Sequence, residues 1–369
     1  MENQDDKNNL RNDKYGHNKK QSAYSNYGLL VIFGSGETST TGIKTYRRIF
    51  QHTAIDQHVS IVETPAGFQP NSQLIANEIA NVFRNSFTDI IQSVSVISAR
   101  NKLTVYSPNN VKIIKPLNNA SCIFLGPGSP TYTTSQLKDS KALHVIKDKW
   151  SHGSTLILSS AAAIAFGTYV LPVYEIYKVG EILHWKEGLN VFNDVHLPFT
   201  IISHWNNTDG GKTLDTRYCF MGEERFTLLR GLLPKETLLV GIDEHTAVIF
   251  DFKNSRVFIE GKGAVTMIKG NSKTIFIHNK VYDLASFCKG IVRIRNIPKD
   301  YYTMKEKLKK KVIKSDKLSS ELKDLLTERE EAKKYKNFVK ADAVRKRFEK
   351  EGYSIEDSKG KQYVYKNNR

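Results

Sequence analysis

The sequence predicts an α/β fold with a mainly parallel sheet. Short continuous apolar runs alternate with helix-like stretches, the pattern of strands covered on both faces. Glycine turns close several of those runs. One run ends at a serine corner that opens an alanine-rich helix, Leu158-Ser159-Ser160-Ala161-Ala162-Ala163.

Residues 1–27 are rich in Asn, Lys, Asp, Gln and Tyr and nearly free of aliphatic side chains, so they read as disordered. Strand-like runs follow at 29–33, 59–62, 94–97, 122–125, 155–158 and 200–202, with helical patterns at 72–85 and 138–150. Beyond residue 236 the spacing tightens to runs at 238–242, 247–250, 256–259, 264–268 and 274–277. Turn signals at Lys253-Asn254-Ser255 and Gly270-Asn271-Ser272 make these an antiparallel meander finishing the same domain.

The expected organisation is a disordered segment 1–27, a main α/β domain 28–285, a basic linker 286–317 and a small module 318–369. Within the linker, 302–317 reads as a charged linker or short helix. In the module, one helix places Leu318, Leu322, Leu325 and Leu326 on a face. A second places Ala341, Val344 and Phe348 together and stops at Gly352, and segments around 353–357 and 362–365 read as a hairpin.

Composition narrows the classes. The 369 residues include 40% hydrophobic side chains, enough for a sizeable core. Cys122, Cys219 and Cys288 are isolated, with no CxxC pair, which excludes a disulfide framework or structural zinc and suits a reducing, cytoplasmic setting. No run reaches the roughly 18–20 apolar residues that span a bilayer, so no membrane partner is expected. Of the net charge of +17, residues 289–369 carry +12, from 25 Lys and Arg against 13 Asp and Glu. That asymmetry points to a polyanionic partner, with nucleic acid first, or to a solvated basic face.

Several turns follow strands at the edge where open α/β sheets bind ligands. They are Gly34-Ser35-Gly36-Glu37, Thr64-Pro65-Ala66-Gly67-Phe68, and Gly126-Pro127-Gly128-Ser129-Pro130-Thr131-Tyr132. The first lacks the third glycine of a dinucleotide fingerprint. Glu37, Glu63 and Tyr132 at these loops are candidates for a substrate pocket.

Taken with the serine corner, Glu175, His204 in Ile202-Ser203-His204-Trp205, and Gly241-Ile242-Asp243-Glu244-His245-Thr246-Ala247, these motifs carry a family likeness. Residues 28–270 resemble class I glutamine amidotransferase-like proteins, a flavodoxin-like sandwich, and within them the serine peptidases of the cyanophycinase and dipeptidase E type. The resemblance implies a serine hydrolase with Ser160 as nucleophile, His204 as base and Glu175, fifteen residues beyond the serine, as the orienting acid. It implies oxyanion donors at Ala161 and Gly128, a peptide or amide substrate, and no cofactor or metal. Leu158 and Ala162 stand where that family has glycine, and Ser159 is the alternative nucleophile. Cysteine, the nucleophile of the glutamine amidotransferases, is absent from the corner.

The marks Glu328-Arg329, Ala332, Phe338, Ala341-Asp342, Arg345, Gly352, Glu356-Asp357 and Gly360 resemble the C-terminal domain of cysteinyl-tRNA synthetases. That likeness implies RNA contacts by Lys333, Lys334, Lys336, Lys340, Arg345, Lys346 and Arg347. No HIGH or KMSKS motif accompanies it, so tRNA aminoacylation is excluded. Two alternatives stay open: an RNA-associated protein with a non-catalytic α/β domain, and a hydrolase of an RNA-borne aminoacyl or peptidyl group. A homo-oligomer is a further expectation.

Overall fold

The computed structural model describes residues 24–51, 56–288, 312–313, 318–335, 337–358 and 361–366. The chain runs β1 (Leu30–Phe33), α1 (Thr40–Phe50), β2 (Gln57–Val62), α2 (Ser72–Ser86), β3 (Ile91–Ile97), α3 (Val111–Ile114) and β4 (Cys122–Leu125). It continues with α4 (Pro130–Leu137), α5 (Lys141–Ser151), β5 (Thr155–Ser159), α6 (Ala161–Phe166), β6 (Tyr169–Val170), α7 (Val173–Tyr177), β7 (Lys186–Glu187) and β8 (Phe199–Ile202). The turn α8 (Arg217–Phe220) and helix α9 (Gly222–Arg230) lead into β9 (Leu238–Ile242), β10 (Thr246–Asp251), β11 (Arg256–Gly261), β12 (Ala264–Lys269), β13 (Ser272–Ile277), β14 (Lys280–Asp283) and α10 (Leu284–Phe287).

Eight strands form the main sheet in the order β14-β11-β10-β1-β5-β4-β2-β3. The β1, β5, β4, β2 and β3 neighbours are parallel, and β10, β11 and β14 extend the β1 edge antiparallel. The apolar runs become strands because both faces are covered. Leu30 and Ile32 enter one core with Trp150 and Phe199, while Val31 and Phe33 enter the other with Tyr46 and Phe83. This is the period of two expected of a strand.

Two expectations change here. The meander does not stay in one sheet: β9, β12 and β13 join β8 in a second four-stranded sheet, ordered β13-β12-β9-β8. The run at 200–202 therefore belongs to that sheet, paired parallel to β9, and not to the main one. The first core is shared by the two sheets, because strands of both contribute to it. Residues 1–23 lie outside the described residues, but 24–27 are packed. Tyr27 sits edge-on to Trp150 at 4.8 Å, and Gly28 N–H donates to the Trp150 carbonyl at 2.9 Å. Tyr24 and Tyr27 are partly buried against the main core, where aromatic contact stands in for the aliphatic side chains this stretch lacks.

The tail has its own core. Helices α11 (Ser320–Lys334) and α12 (Phe338–Lys350) and strands β16 (Tyr353–Ser358) and β17 (Lys361–Lys366) bury Leu318, Leu322, Leu325, Val344, Phe348, Ile355 and Val364 together. Val312 and Ile313, placed in the expected linker, form β15 and pair antiparallel with Tyr365 and Val364 of β17. The rest of the stretch 302–317 lies outside the described residues. Among the described residues, no helix is long and apolar enough to cross a membrane.

Candidate active site

The site begins at the end of β5. Ser159 is the last strand residue and Ala161 the first helical one, which leaves Ser160 to make the whole turn with φ 50° and ψ −112°. A non-glycine residue there costs on the order of 1–3 kcal/mol and marks a constrained functional turn. The turn is held from two sides: Ser160 N–H donates to the Phe33 carbonyl at 3.3 Å, and Ser203 Oγ donates to the Ser160 carbonyl at 3.1 Å. Leu158 is wholly buried and joins the main core, as does Ala162.

The two serines part company at this turn. Ser160 Oγ lies 2.9 Å from His204 Nε2. Ser159 is fully buried and its hydroxyl donates to Glu37 Oε2 at 2.8 Å, away from the imidazole. Glu37 thus reaches the corner from the turn after β1.

His204 follows β8 with φ 52°. Its Nδ1 lies 2.9 Å from Glu244 Oε1, and Asn207 Nδ2 donates to the same oxygen at 2.9 Å. These bonds, led by the one from His204, hold the Glu244 carboxyl below the usual glutamate range and keep it ionised. An ionised Glu244 fixes the His204 proton on Nδ1 and leaves Nε2 as the acceptor for the Ser160 hydroxyl.

Glu244 is placed by glycines. A Cβ on Gly34 would sit 2.2 Å from the Asp243 carbonyl, and one on Gly36 would sit 2.4 Å from His245 Nδ1. Only glycine lets the turn after β1 lie this close against the turn between β9 and β10. Gly34 N–H donates to the Thr246 carbonyl at 2.9 Å, and Asn206 Oδ1 accepts from Glu244 N–H at 2.8 Å.

The carboxylate on His204 is therefore Glu244 and not Glu175. Glu175 lies on α7, where its Oε1 accepts from Thr131 Oγ1 at 2.5 Å and faces Lys186 Nζ at 3.4 Å. The family resemblance implied Glu175 because it stands fifteen residues after the serine, where that family has its carboxylate. The side chain, however, is drawn to the loop after β4. The signal for Glu244 was present in the Gly241-to-Ala247 motif, and Asn206 and Asn207, which follow the histidine directly, were missed altogether.

Gly128 is positioned in the loop after β4, with φ 148° and a missing Cβ that would fall 1.9 Å from the Pro65 carbonyl. Ala161 opens α6, so its N–H stands outside the helical ladder. The loop and helix meet where Ala162 N–H approaches the Gly126 carbonyl at 3.4 Å.

Glu63 does not present a free carboxylate. It is buried, ion-paired with Arg100, and accepts from Ser98 Oγ at 3.3 Å. Tyr132 donates its hydroxyl to the Arg100 carbonyl at 2.8 Å and sets its ring 5.3 Å from Phe68. Burial pushes the thiols of Cys122, Cys219 and Cys288 up to about 12, so all three are protonated and inert at neutral pH.

In the tail, four of the expected RNA-contacting side chains are engaged within the module. Lys333 pairs with Asp357 at 2.9 Å, Lys340 with Glu328 at 3.0 Å, Arg345 with Asp342 at 3.7 Å and Arg347 with Glu321 at 3.0 Å. Lys334 and Lys346 are exposed and carry no ion pair among the described residues; Lys336 lies outside them.

The two parts of the chain have separate relatives. Residues 315–364 match the cysteinyl-tRNA ligase anticodon binding domain. Some 70% of this chain shares its fold with 97% of a peptidase from an acI-B1 Actinobacterium, at a TM-score of 0.56 and 16% identity. A protein described as peptidase E from Listeria monocytogenes EGD-e aligns at 15% identity and a TM-score of 0.42, over 66% of this chain and 98% of that one. No curated protein matches the chain. At 16% identity the likeness is one of fold: a mostly parallel α/β sheet covered by helices. The small tail module is similar to that anticodon binding domain.

Proposed function

We propose that the chain is a serine hydrolase that cleaves an amide or related acyl bond through an acyl-Ser160 intermediate, carrying an RNA-binding module at its C-terminal end. The observation that carries the reading is the continuous hydrogen-bonded series Ser160–His204–Glu244, with 2.9 Å at both joints. His204 takes the Ser160 proton as Oγ attacks the carbonyl carbon, and Glu244 stabilises the imidazolium that results. The developing oxyanion meets the N–H groups of Ala161 and Gly128. His204 then hands the proton to the leaving group, and water repeats the sequence on the acyl enzyme.

A fluorophosphonate probe tests this. The wild-type protein should be labelled on Ser160, and both Ser160→Ala and His204→Ala should lose the label. A wild type that stays unlabelled, or a label that survives Ser160→Ala, contradicts the reading.

The RNA reading rests on the match at 315–364 and on the charge of the tail. The pairs of Lys340, Arg345 and Arg347 are exposed and worth only about 0–1 kcal/mol each, so these cations can exchange to phosphates. Among RNAs, a tRNA fits the match best.

A further inference from the structure

Helix α7 stands between the two halves of the site and has no part in the Ser160–His204–Glu244 series. Tyr174 and Tyr177, three residues apart, occupy one side of it. Tyr174 lies 6.3 Å from Phe68, which itself packs on Tyr132 at 5.3 Å. Tyr177 lies 5.2 Å from Phe220, whose ring is 6.2 Å from the imidazole of His204. Phe68, Tyr132 and Tyr174 thus form one partly exposed aromatic group and Tyr177 and Phe220 a second, and α7 carries a tyrosine of each, so that the two make a strip ending on the base.

Glu175 lies between these two tyrosines in the chain. Thr131 joins it to the oxyanion loop, since Thr131 Oγ1 bonds both Glu175 and Ser129 Oγ. Its Oε2 is buried with no hydrogen-bond partner. A carboxylate oxygen without a donor is a costly arrangement that a cationic ligand relieves.

Most cations beside the strip are already committed. Arg100 is paired with Glu63, Arg225 donates to the carbonyls of Met221 and Phe220, and Lys186 faces Glu175 itself. Lys178 is exposed and lies over the Tyr177 ring, 5.2 Å from its centroid. Of these cations Lys178 alone is left for an acidic side chain, whereas a flat apolar one meets all five rings.

We infer that α7 forms an aminoacyl subsite, in which Glu175 receives the free α-ammonium of the substrate and the aromatic strip receives an aromatic or large apolar side chain. The inference deepens the hydrolase reading and rests on it, and it makes Glu175 a specificity residue.

The test is calorimetric binding to the full-length Ser160→Ala protein, which needs no turnover. Phenylalaninamide should bind at least tenfold tighter than N-acetylphenylalaninamide or aspartic acid α-amide. Adding Glu175→Gln should remove the preference for the free amine, and adding Tyr177→Ala should weaken phenylalaninamide alone. Equal binding of the acetylated amide, tighter binding of the aspartyl amide, or a preference unchanged by Glu175→Gln overturns the inference. Labelling of the wild type by the fluorophosphonate reports on the hydrolase reading separately, so the two can fail independently.

Discussion

The α/β site and the C-terminal module hold their functional side chains in opposite ways. Around the site the backbone is forced: Ser160, His204, Tyr218, Cys219, Phe220 and His245 all have positive φ without being glycine. Among the described residues of the module, positive φ occurs at Gly352 alone, a glycine. There the charged groups are placed by ion pairs on exposed helix faces, and one buried arginine anchors the whole. A site that must hold three atoms in line stores strain, as at the Ser160 turn. A surface proposed to follow a flexible polyanion keeps its charges loosely tied.

The comparison can be broken at three points. The largest effect is expected from Gly128→Ala, where a Cβ meets the Pro65 carbonyl at 1.9 Å and the φ of 148° disfavours any side chain. A loss of about 3 kcal/mol or more follows from overpacking and backbone strain, a fall in melting temperature of roughly 6–12 °C. A melting temperature within a degree of wild type would show that the loop after β4 is not held rigidly.

Next is Arg329, only 2% exposed, which donates from Nη1 and Nη2 to Asp357 at 3.0 and 2.8 Å. Arg329→Met should cost the module about 2–3 kcal/mol, read as lost hydrogen-exchange protection in α11 and β17. The Arg329 hydrogen bond, with Lys333 behind it, holds the Asp357 carboxyl down at about 2. A depressed carboxylate contributes stability that is full above its unfolded value near 4 and is lost as pH falls toward 2. The module's protection should decline over that window in the wild type and much less so in Arg329→Met.

The smallest effect is expected at the surface. Lys334 and Lys346 are exposed and have no ion pair among the described residues, so the double change to Ala should leave the melting temperature unchanged. It should weaken tRNA binding and lower the salt slope by about two. An unchanged slope would place the RNA-facing side elsewhere on the module.

The parallel strands were legible because burial on both faces writes them as unbroken apolar runs, and 122–125 coincides with β4 to the residue. The division of the later strands between two sheets was not legible, since β9 and β10 are equally apolar and only their pairing separates them. Ser160 and His204 were readable as motifs that the fold brings into contact. The carboxylate was not, because Glu175 and Glu244 both stand in suitable motifs. What decides between them is the close glycine contact of Gly34 and Gly36 with 243–245, which exists only once the chain has folded. The same holds for Lys340 and Arg347, whose partners Glu328 and Glu321 come from the other helix of the hairpin.

The most direct measurement is the rate at which the fluorophosphonate labels Ser160 in Glu244→Gln and in Glu175→Gln. A neutral amide on Nδ1 can no longer stabilise the imidazolium, so Glu244→Gln should slow labelling by about 10²–10⁴-fold. Glu175→Gln, which does not touch His204, should stay within a few-fold of wild type. The reverse order, with Glu175→Gln crippled and Glu244→Gln intact, would contradict the site described by Ser160, His204 and Glu244.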